Sequence, residues 1–171
     1  MSVMLPDSVD AWRAAAARRS FAGTLPIAML KRLCEVLAST AGELEYRLDF
    51  GTDALGIDGV DVHVQAPLTL LCQRTLEPFV LPVTVAIRLG LIRREQDEAG
   101  LPPECEPLLV AEDGQLHPAD VIEDELLLAV PLVPINPDSS LPDAVLADDV
   151  ADAAADEQQD NPFAVLRGLK Q

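Results

Sequence analysis

Three stretches in the middle of the chain alternate apolar and polar residues with a period of two. The pattern runs through ELEYRLDF at residues 43–50, VDVHVQAPLTLLC at residues 60–72 and FVLPVTVAIRL at residues 79–89. Such a period places one face of each stretch against a core, as in β-strands. The short connections favour an antiparallel meander, in which residues 72–79 form the turn between two strands. Pro82 indicates an edge or a bulge in the third strand.

Helical patterns flank this predicted sheet. They predict one helix over DAWRAAAARR, residues 10–19, and a second helix over residues 24–42. After the sheet, EPLLVA at residues 106–111 adds a short strand, and Pro118 opens a helix that Pro131 stops. The sequence therefore predicts an α+β fold, with an antiparallel β-meander or partly closed barrel of about five strands and flanking helices.

The composition changes behind this domain, which we place at residues 1–136. Residues 137–160 are rich in Asp, Ala, Pro and Gln, and positions 138–160 hold eight acids and no base. Such a segment cannot bury enough apolar surface to offset the entropy of ordering it, so we predict a flexible acidic C-terminal tail with a disordered linker. The chain ends in the amphipathic patch NPFAVLRGLK, and residues 161–171 are predicted to dock on a partner or on the domain itself.

The net charge of −17 lies entirely in the second half of the chain. Residues 1–94 contain ten acidic and ten basic side chains, whereas residues 95–171 contain 19 acidic and two basic ones. Sequence-independent binding of nucleic acid depends on Lys and Arg displacing counterions from phosphates, and a negative half opposes this. A basic protein is therefore the expected partner.

The chain also carries signals about its compartment. No stretch approaches the roughly 18 consecutive apolar residues that favour a membrane span. The start MSVMLPDSVDAW lacks the basic and apolar blocks of a signal peptide, and three widely spaced cysteines favour reduced thiols. We therefore expect a cytoplasmic protein.

The turn that starts at Cys72 begins like one half of a metal knuckle. Thr75 stands where a CxxC pair would place its second thiolate. Structural zinc takes four Cys or His ligands in paired short spacings, whereas His63, His117 and Cys105 stand isolated. A redox CxxC motif needs the thiol that is missing. We therefore predict no metal and no cofactor.

The acidic triplet Glu123-Asp124-Glu125 has the composition of an acid/base pair or a magnesium site. Successive helical residues diverge by about 100°, so the three carboxylates do not converge on one ligand. Their place in the first half of a predicted helix, where the helix dipole favours anions, explains them more simply. Neither histidine has a neighbouring nucleophile, and there is no glycine-rich phosphate loop. We expect no enzyme, with a hydrolase of unrecognised site as an alternative.

Three stretches together resemble one family in order and spacing. CQRTLEPF, residues 72–79, resembles its C-x-R-C-L-x-P turn, and VIEDELLLAVPLVPIN, residues 121–136, resembles its VEDELLLALPLVP helix. NPFAVLRGLK, residues 161–170, resembles its NPFAvLkkLK terminus. The chain is thus similar to the YceD family, the large ribosomal RNA subunit accumulation proteins. The resemblance implies a small, acidic, cytosolic, non-enzymatic protein implicated in accumulation or processing of 23S ribosomal RNA.

The resemblance also indicates candidate residues for binding a partner. They are Cys72 and Arg74 in the turn, Glu123, Asp124 and Glu125 in the helix, and Asn161, Pro162, Phe163 and Leu166 in the terminal motif. Thr75 departs from the family's second cysteine, so we expect the turn to be kept for its shape and for Arg74. We favour binding of a basic ribosomal or RNA-processing protein by the acidic half. The alternative is direct contact with ribosomal RNA through an arginine cluster of Arg74, Arg88, Arg93 and Arg94.

Overall fold

The computed structural model describes residues 5–139, and all three alternating stretches are strands of one sheet. In chain order the elements are β1 (Val9–Asp10), α1 (Ala11–Ala16), β2 (Ser20–Pro26), α2 (Lys31–Cys34), β3 (Glu43–Thr52), β4 (Asp58–Leu71), β5 (Pro78–Ile92), β6 (Cys105–Leu109), β7 (Gln115–Leu116) and α3 (Pro118–Ala129). Short 3-10 helices lie at Ile27–Met29 and Glu95–Gly100. This mixture confirms the α+β fold. Within the described residues, no helix is long and apolar enough to cross a membrane.

The sheet has the strand order β2-β3-β4-β5-β6. Its first four strands are antiparallel neighbours in sequence and form the predicted meander. β6 is parallel to β5, because residues 93–104 carry the chain back before it re-enters the sheet. Among the strands of residues 5–139, β2 and β6 each have one neighbour, so the sheet is open and does not close into a barrel. β1 and β7 pair separately as a small antiparallel ribbon.

The helix predicted over residues 24–42 is wrong, since this region begins within a strand. β2 pairs with β3 and buries Phe21 and Leu25. Gly23 lies opposite Tyr46, and a Cβ atom at Gly23 would come within 3.1 Å of the Tyr46 hydroxyl oxygen. One 3-10 turn and the four residues of α2 are the helical parts of this region. Two buried apolar residues are too few to reveal the period of two in β2.

The remaining predicted helices exist, with one boundary changed. α1 ends at Ala16 and not near residue 19, because Arg18 has a left-handed φ of 49°. α3 starts at Pro118 and ends before Pro131, as predicted, and it packs on β4 and β5. The buried residues of α3 are Pro118, Val121, Ile122, Glu123, Glu125 and Leu126. Two carboxylates therefore lie on the buried face of a helix in an acidic protein.

Pro82 lies on an open edge of the sheet, as its position in the sequence indicates. β6 pairs only with residues 88–92 of β5, so residues 78–87 have a strand neighbour on one side within the described chain. Pro67 of β4 faces Pro82 directly. Neither proline has an N–H group, so we take this as a non-hydrogen-bonded pair in which Pro82 meets the open edge without a donor. Together with Pro78, this opposes the addition of another strand.

Candidate functional site

The carboxylates of Glu123 and Asp124 hold the side chain of Arg32. Glu123 Oε2 accepts a hydrogen bond from Arg32 Nε at 3.0 Å, and Asp124 Oδ1 accepts one from Arg32 Nη1 at 2.6 Å. Glu123 Oε1 also accepts the backbone N–H of Leu33 at 3.0 Å. Since Leu30, the N-cap residue of α2, has no capping side chain, Glu123 caps this helix from a distant part of the chain. Two acids of the candidate triplet therefore fasten α2 to α3.

Glu125, the third acid of the triplet, is largely buried, although its carboxylate oxygens still reach solvent. It is 9% exposed and has no hydrogen bond or ion pair with any residue that the structure describes. Burial raises its pKa, and the negative charges of Glu106 and Asp124 add to this effect. Glu106 lies on β6 in register with Leu89, whose side chain is buried in the core, so both face the same side of the sheet. We call Glu106 and Glu125 the acidic site.

The acidic site has the chemistry to receive a cation. Carboxylate oxygens accept hydrogen bonds from Lys and Arg, and such charge-assisted bonds are stronger than neutral ones. Arg32 supplies this interaction for Glu123 at 3.0 Å. No residue within positions 5–139 supplies it for either member of the acidic site.

The turn between β4 and β5 forms hydrogen bonds with the segment that follows α3. Arg74 donates from Nε to Ser139 Oγ at 3.1 Å and from Nη2 to the carbonyl oxygen of Asn136 at 3.1 Å. It also donates to the carbonyl oxygen of Ser139. The N–H of Gln73 donates to the carbonyl oxygen of Pro134 at 2.8 Å. Arg74, a candidate for partner binding, is therefore engaged within the chain.

Cys72 lies buried beneath the same segment. Its Sγ accepts the N–H of Asn136 at 3.4 Å and lies 3.7 Å from Ser139 Oγ. Hydrogen bonds from the Thr75 hydroxyl, and then from the Asn136 N–H, lower the pKa of the Cys72 thiol to about 6. Thr75 takes the place of the second cysteine of a CxxC pair, and its hydroxyl donates a hydrogen bond to the Cys72 sulfur.

We expect Cys72 to make the stability of the protein depend on pH. A thiol whose pKa is lowered by folding favours the folded state most above its ordinary value near 8.5. This contribution is lost as the pH falls through about 6. Melting temperatures measured from about pH 5 to pH 9 should therefore rise more steeply in the wild type than in Cys72→Ser, whose hydroxyl does not titrate in this range.

The matched control for this pH profile is Cys105→Ser. Burial raises the pKa of the Cys105 thiol, so its removal should alter the profile at high pH and in the opposite direction. Identical profiles for the wild type and Cys72→Ser would show that no thiolate forms in the turn.

The four arginines of the RNA-binding alternative do not form one cluster. Arg74 precedes β5, whereas Arg93 and Arg94 follow it, and this strand is 15 residues long. Each has a partner within the chain: Asn136 and Ser139 for Arg74, Asp61 for Arg88, the Trp12 ring for Arg93 and Asp97 for Arg94. The predicted cluster at one end of the sheet is therefore wrong, although contact of single arginines with RNA stays a prediction.

The isolated histidines and cysteines stay apart in the fold. His117 Nδ1 lies 2.6 Å from the carbonyl oxygen of Asp7, and His63 lies on β4 between Arg47 and Ala86 of the neighbouring strands. Within the described part of the chain, no three His, Cys, Asp or Glu side chains are arranged to hold a metal ion.

We expect the purified protein to contain far less than one metal ion per chain. Elemental analysis checks this, and about one zinc per chain would contradict it. Thr75→Cys should also bind no zinc, because Cys72 and a new thiolate still leave a tetrahedral site short of two ligands.

An apolar groove that the sequence did not reveal lies beside the turn. Its volume is about 330 Å³, and its lining residues are Val36, Gln73, Leu127, Val130, Pro131, Leu132 and Pro134. These residues come from three separate parts of the chain: the segment after α2, the turn, and the end of α3 with the residues that follow. No local pattern could have brought them together. We call this the α3 groove.

The terminal candidates Asn161, Pro162, Phe163 and Leu166 lie outside the described residues, and so does the predicted linker beyond residue 139. The roles of this motif and linker stay predictions.

Two comparisons relate the chain to known proteins. The family model for the large ribosomal RNA subunit accumulation protein YceD matches residues 60–170, which include the turn, α3 and the terminal motif. The chain is 31% identical over 172 residues to the large ribosomal RNA subunit accumulation protein YceD of Haemophilus influenzae. That alignment covers 99% of this chain and 98% of the relative. No solved structure matches the chain.

Proposed function

Because the chain belongs to the YceD family of large ribosomal RNA subunit accumulation proteins, we propose that it supports biogenesis of the large ribosomal subunit in the cytoplasm. It does so by binding a basic ribosomal or RNA-processing protein and not by catalysis. Opposite charges speed the encounter of two proteins and exclude partners of the wrong charge. The 19 acids and two bases after residue 94 give the chain this property.

The acidic site is the observation that supports a basic partner. Partial burial makes the ionised form of a carboxylate less favourable, and pairing with a cation offsets this cost. Glu125 is 9% exposed, and the negative charge of Glu106, an exposed residue of β6, adds to the rise of its pKa. A Lys or Arg side chain from a partner would relieve the repulsion between them. The site is therefore better suited to a complex with a basic protein than to the isolated chain.

Affinity capture from cell extract, with and without nuclease, tests this function. We expect basic proteins of the ribosome assembly pathway to remain bound after nuclease treatment. Partners that disappear with nuclease would instead favour direct binding of ribosomal RNA, in which Arg74, Arg88, Arg93 and Arg94 would make separate contacts.

A further inference from the structure

We infer that the α3 groove binds the C-terminal segment of the same chain, residues 161–170, when no partner is present. The inference is independent of the proposed function, because it concerns the isolated chain.

The α3 groove leaves apolar side chains in water. Val36 is 50% exposed, and Leu132 is 101% exposed. Three further exposed apolar residues belong to the turn or to the segment after α3: Leu76, Val133 and Ile135. Contiguous apolar surface on a soluble protein usually marks a binding site. Gln73 adds a polar side chain to the lining, which suits an amphipathic segment better than a fully apolar one.

The C-terminal segment has the composition that this surface requires. Its apolar side chains are Phe163, Val165, Leu166 and Leu169. Arg167 and Lys170 are the two basic residues of the acidic half, and Glu123 and Asp124 already pair with Arg32 from the first half. Glu35 is exposed beside the lining residue Val36 and has no ion pair within residues 5–139, so it is the acid that a basic side chain of the segment could meet there. The segment therefore complements the groove region in both hydrophobicity and charge.

The length of the chain permits this return. Arg74 holds Ser139 next to the turn, and Phe163 lies 24 residues further on. A flexible chain of this length has a root-mean-square span of about 27 Å. Pro134, which lines the α3 groove, is five residues from Ser139 and hence within roughly 18 Å of it.

A tether of this length makes even weak docking effective. Its span exceeds the distance to the groove, so the segment can reach it and is present there at an effective concentration on the order of 1 mM. A segment with a dissociation constant of about 0.1 mM would then be bound in roughly nine chains out of ten. A partner with higher affinity for either the segment or the groove would displace it.

Tryptic cleavage after Arg167 tests the inference on the full chain. A docked segment resists the protease, so release of the last four residues should be about tenfold slower in the wild type than in the double variant Val36→Ser/Leu132→Ser. Mass spectrometry measures the initial rate of release. The matched control is Leu109→Ser/Leu128→Ser, which alters two leucines of similar exposure, 53% and 76%, outside the groove. This control should be cleaved as slowly as the wild type.

The outcomes separate the possible occupants of the groove. Phe163→Ala leaves residues 5–139 unchanged and should accelerate cleavage as much as the groove variant does. Equal cleavage rates in the wild type and both variants would overturn the inference. Protection that disappears when the protein is diluted about a hundredfold would assign the groove to a second copy of the chain. Protection that requires added cell extract would assign it to a partner, and both results would also overturn docking in the same chain.

Discussion

Glu123→Ala is expected to lower the free energy of unfolding by about 3 kcal/mol. The carboxylate is buried, and it accepts hydrogen bonds from Leu33 N–H and Arg32 Nε at 3.0 Å each. Leu33 is fully buried, so its N–H group would lose its acceptor in a place where water cannot replace it. The substitution also removes the cap of α2, whose own N-cap residue has no capping side chain.

Asp124→Ala is the matched control for this prediction. It removes the other carboxylate that binds Arg32, but this one is 54% exposed, and exposed ion pairs contribute little to stability. Urea unfolding of the wild type and both variants measures the difference. We expect Asp124→Ala to cause a small fraction of the loss caused by Glu123→Ala. Similar losses for the two variants would show that the charge of the pair matters more than the buried cap.

The central strands of the sheet can be predicted from the sequence because they are long and bury one face while exposing the other. β4 buries every second residue from Val60 to Leu70, and this regular alternation extends far beyond any accidental pattern. β2 has only Phe21 and Leu25 on its buried face, and Gly23 between them removes the middle apolar position. The apolar residues that follow Pro26 recur at helical spacing and so favour a helix there. A short strand with few apolar residues is hard to recognise from the sequence when the residues beside it fit a helical pattern.

The roles of the candidate residues were less predictable, because their partners are distant in sequence. The three carboxylates do not all converge on one group, as expected, but the successive residues Glu123 and Asp124 both bind Arg32. The helix dipole explains why acidic residues are favoured in this part of α3, but it gives no reason for the burial of Glu123 and Glu125. Glu123 meets Arg32 across 91 residues, and Arg74 meets Ser139 across 65. Contacts over such distances depend on the packed sheet and have no local signal.

The double variant Glu106→Gln/Glu125→Gln is expected to weaken capture of the basic partner by about 2 kcal/mol, a factor of about 30 in affinity. Both amides can still form hydrogen bonds, but they lack the charge that favours a Lys or Arg side chain. Quantitative mass spectrometry of nuclease-resistant proteins bound to each bait measures the loss. The control is Glu95→Gln/Glu98→Gln, which changes the net charge equally at two exposed positions.

The same double variant should become more stable at neutral pH, which distinguishes lost binding from lost structure. Burial raises the pKa of Glu125, so the folded state favours its protonated form. Protonated Glu125 therefore adds to the stability of the folded state below the ordinary pKa of a glutamate, near 4.3. This contribution is lost as the pH rises through the higher pKa that Glu125 has in the folded protein. At pH 7 the ionised carboxylate therefore opposes folding, and a neutral glutamine removes this effect. The gain in melting temperature should shrink as the pH approaches about 4.

Weaker capture together with higher stability would assign the acidic site to the partner, because a carboxylate that costs stability is then retained for binding and not for folding. Higher stability with unchanged capture would leave Glu106 and Glu125 as a strained pair and would remove the main support for a basic partner. An equal loss in Glu95→Gln/Glu98→Gln would mean that the partner responds to the total negative charge and not to this site. Lower stability at pH 7 would show that Glu125 has a favourable contact in the isolated chain, contrary to its burial without a cation.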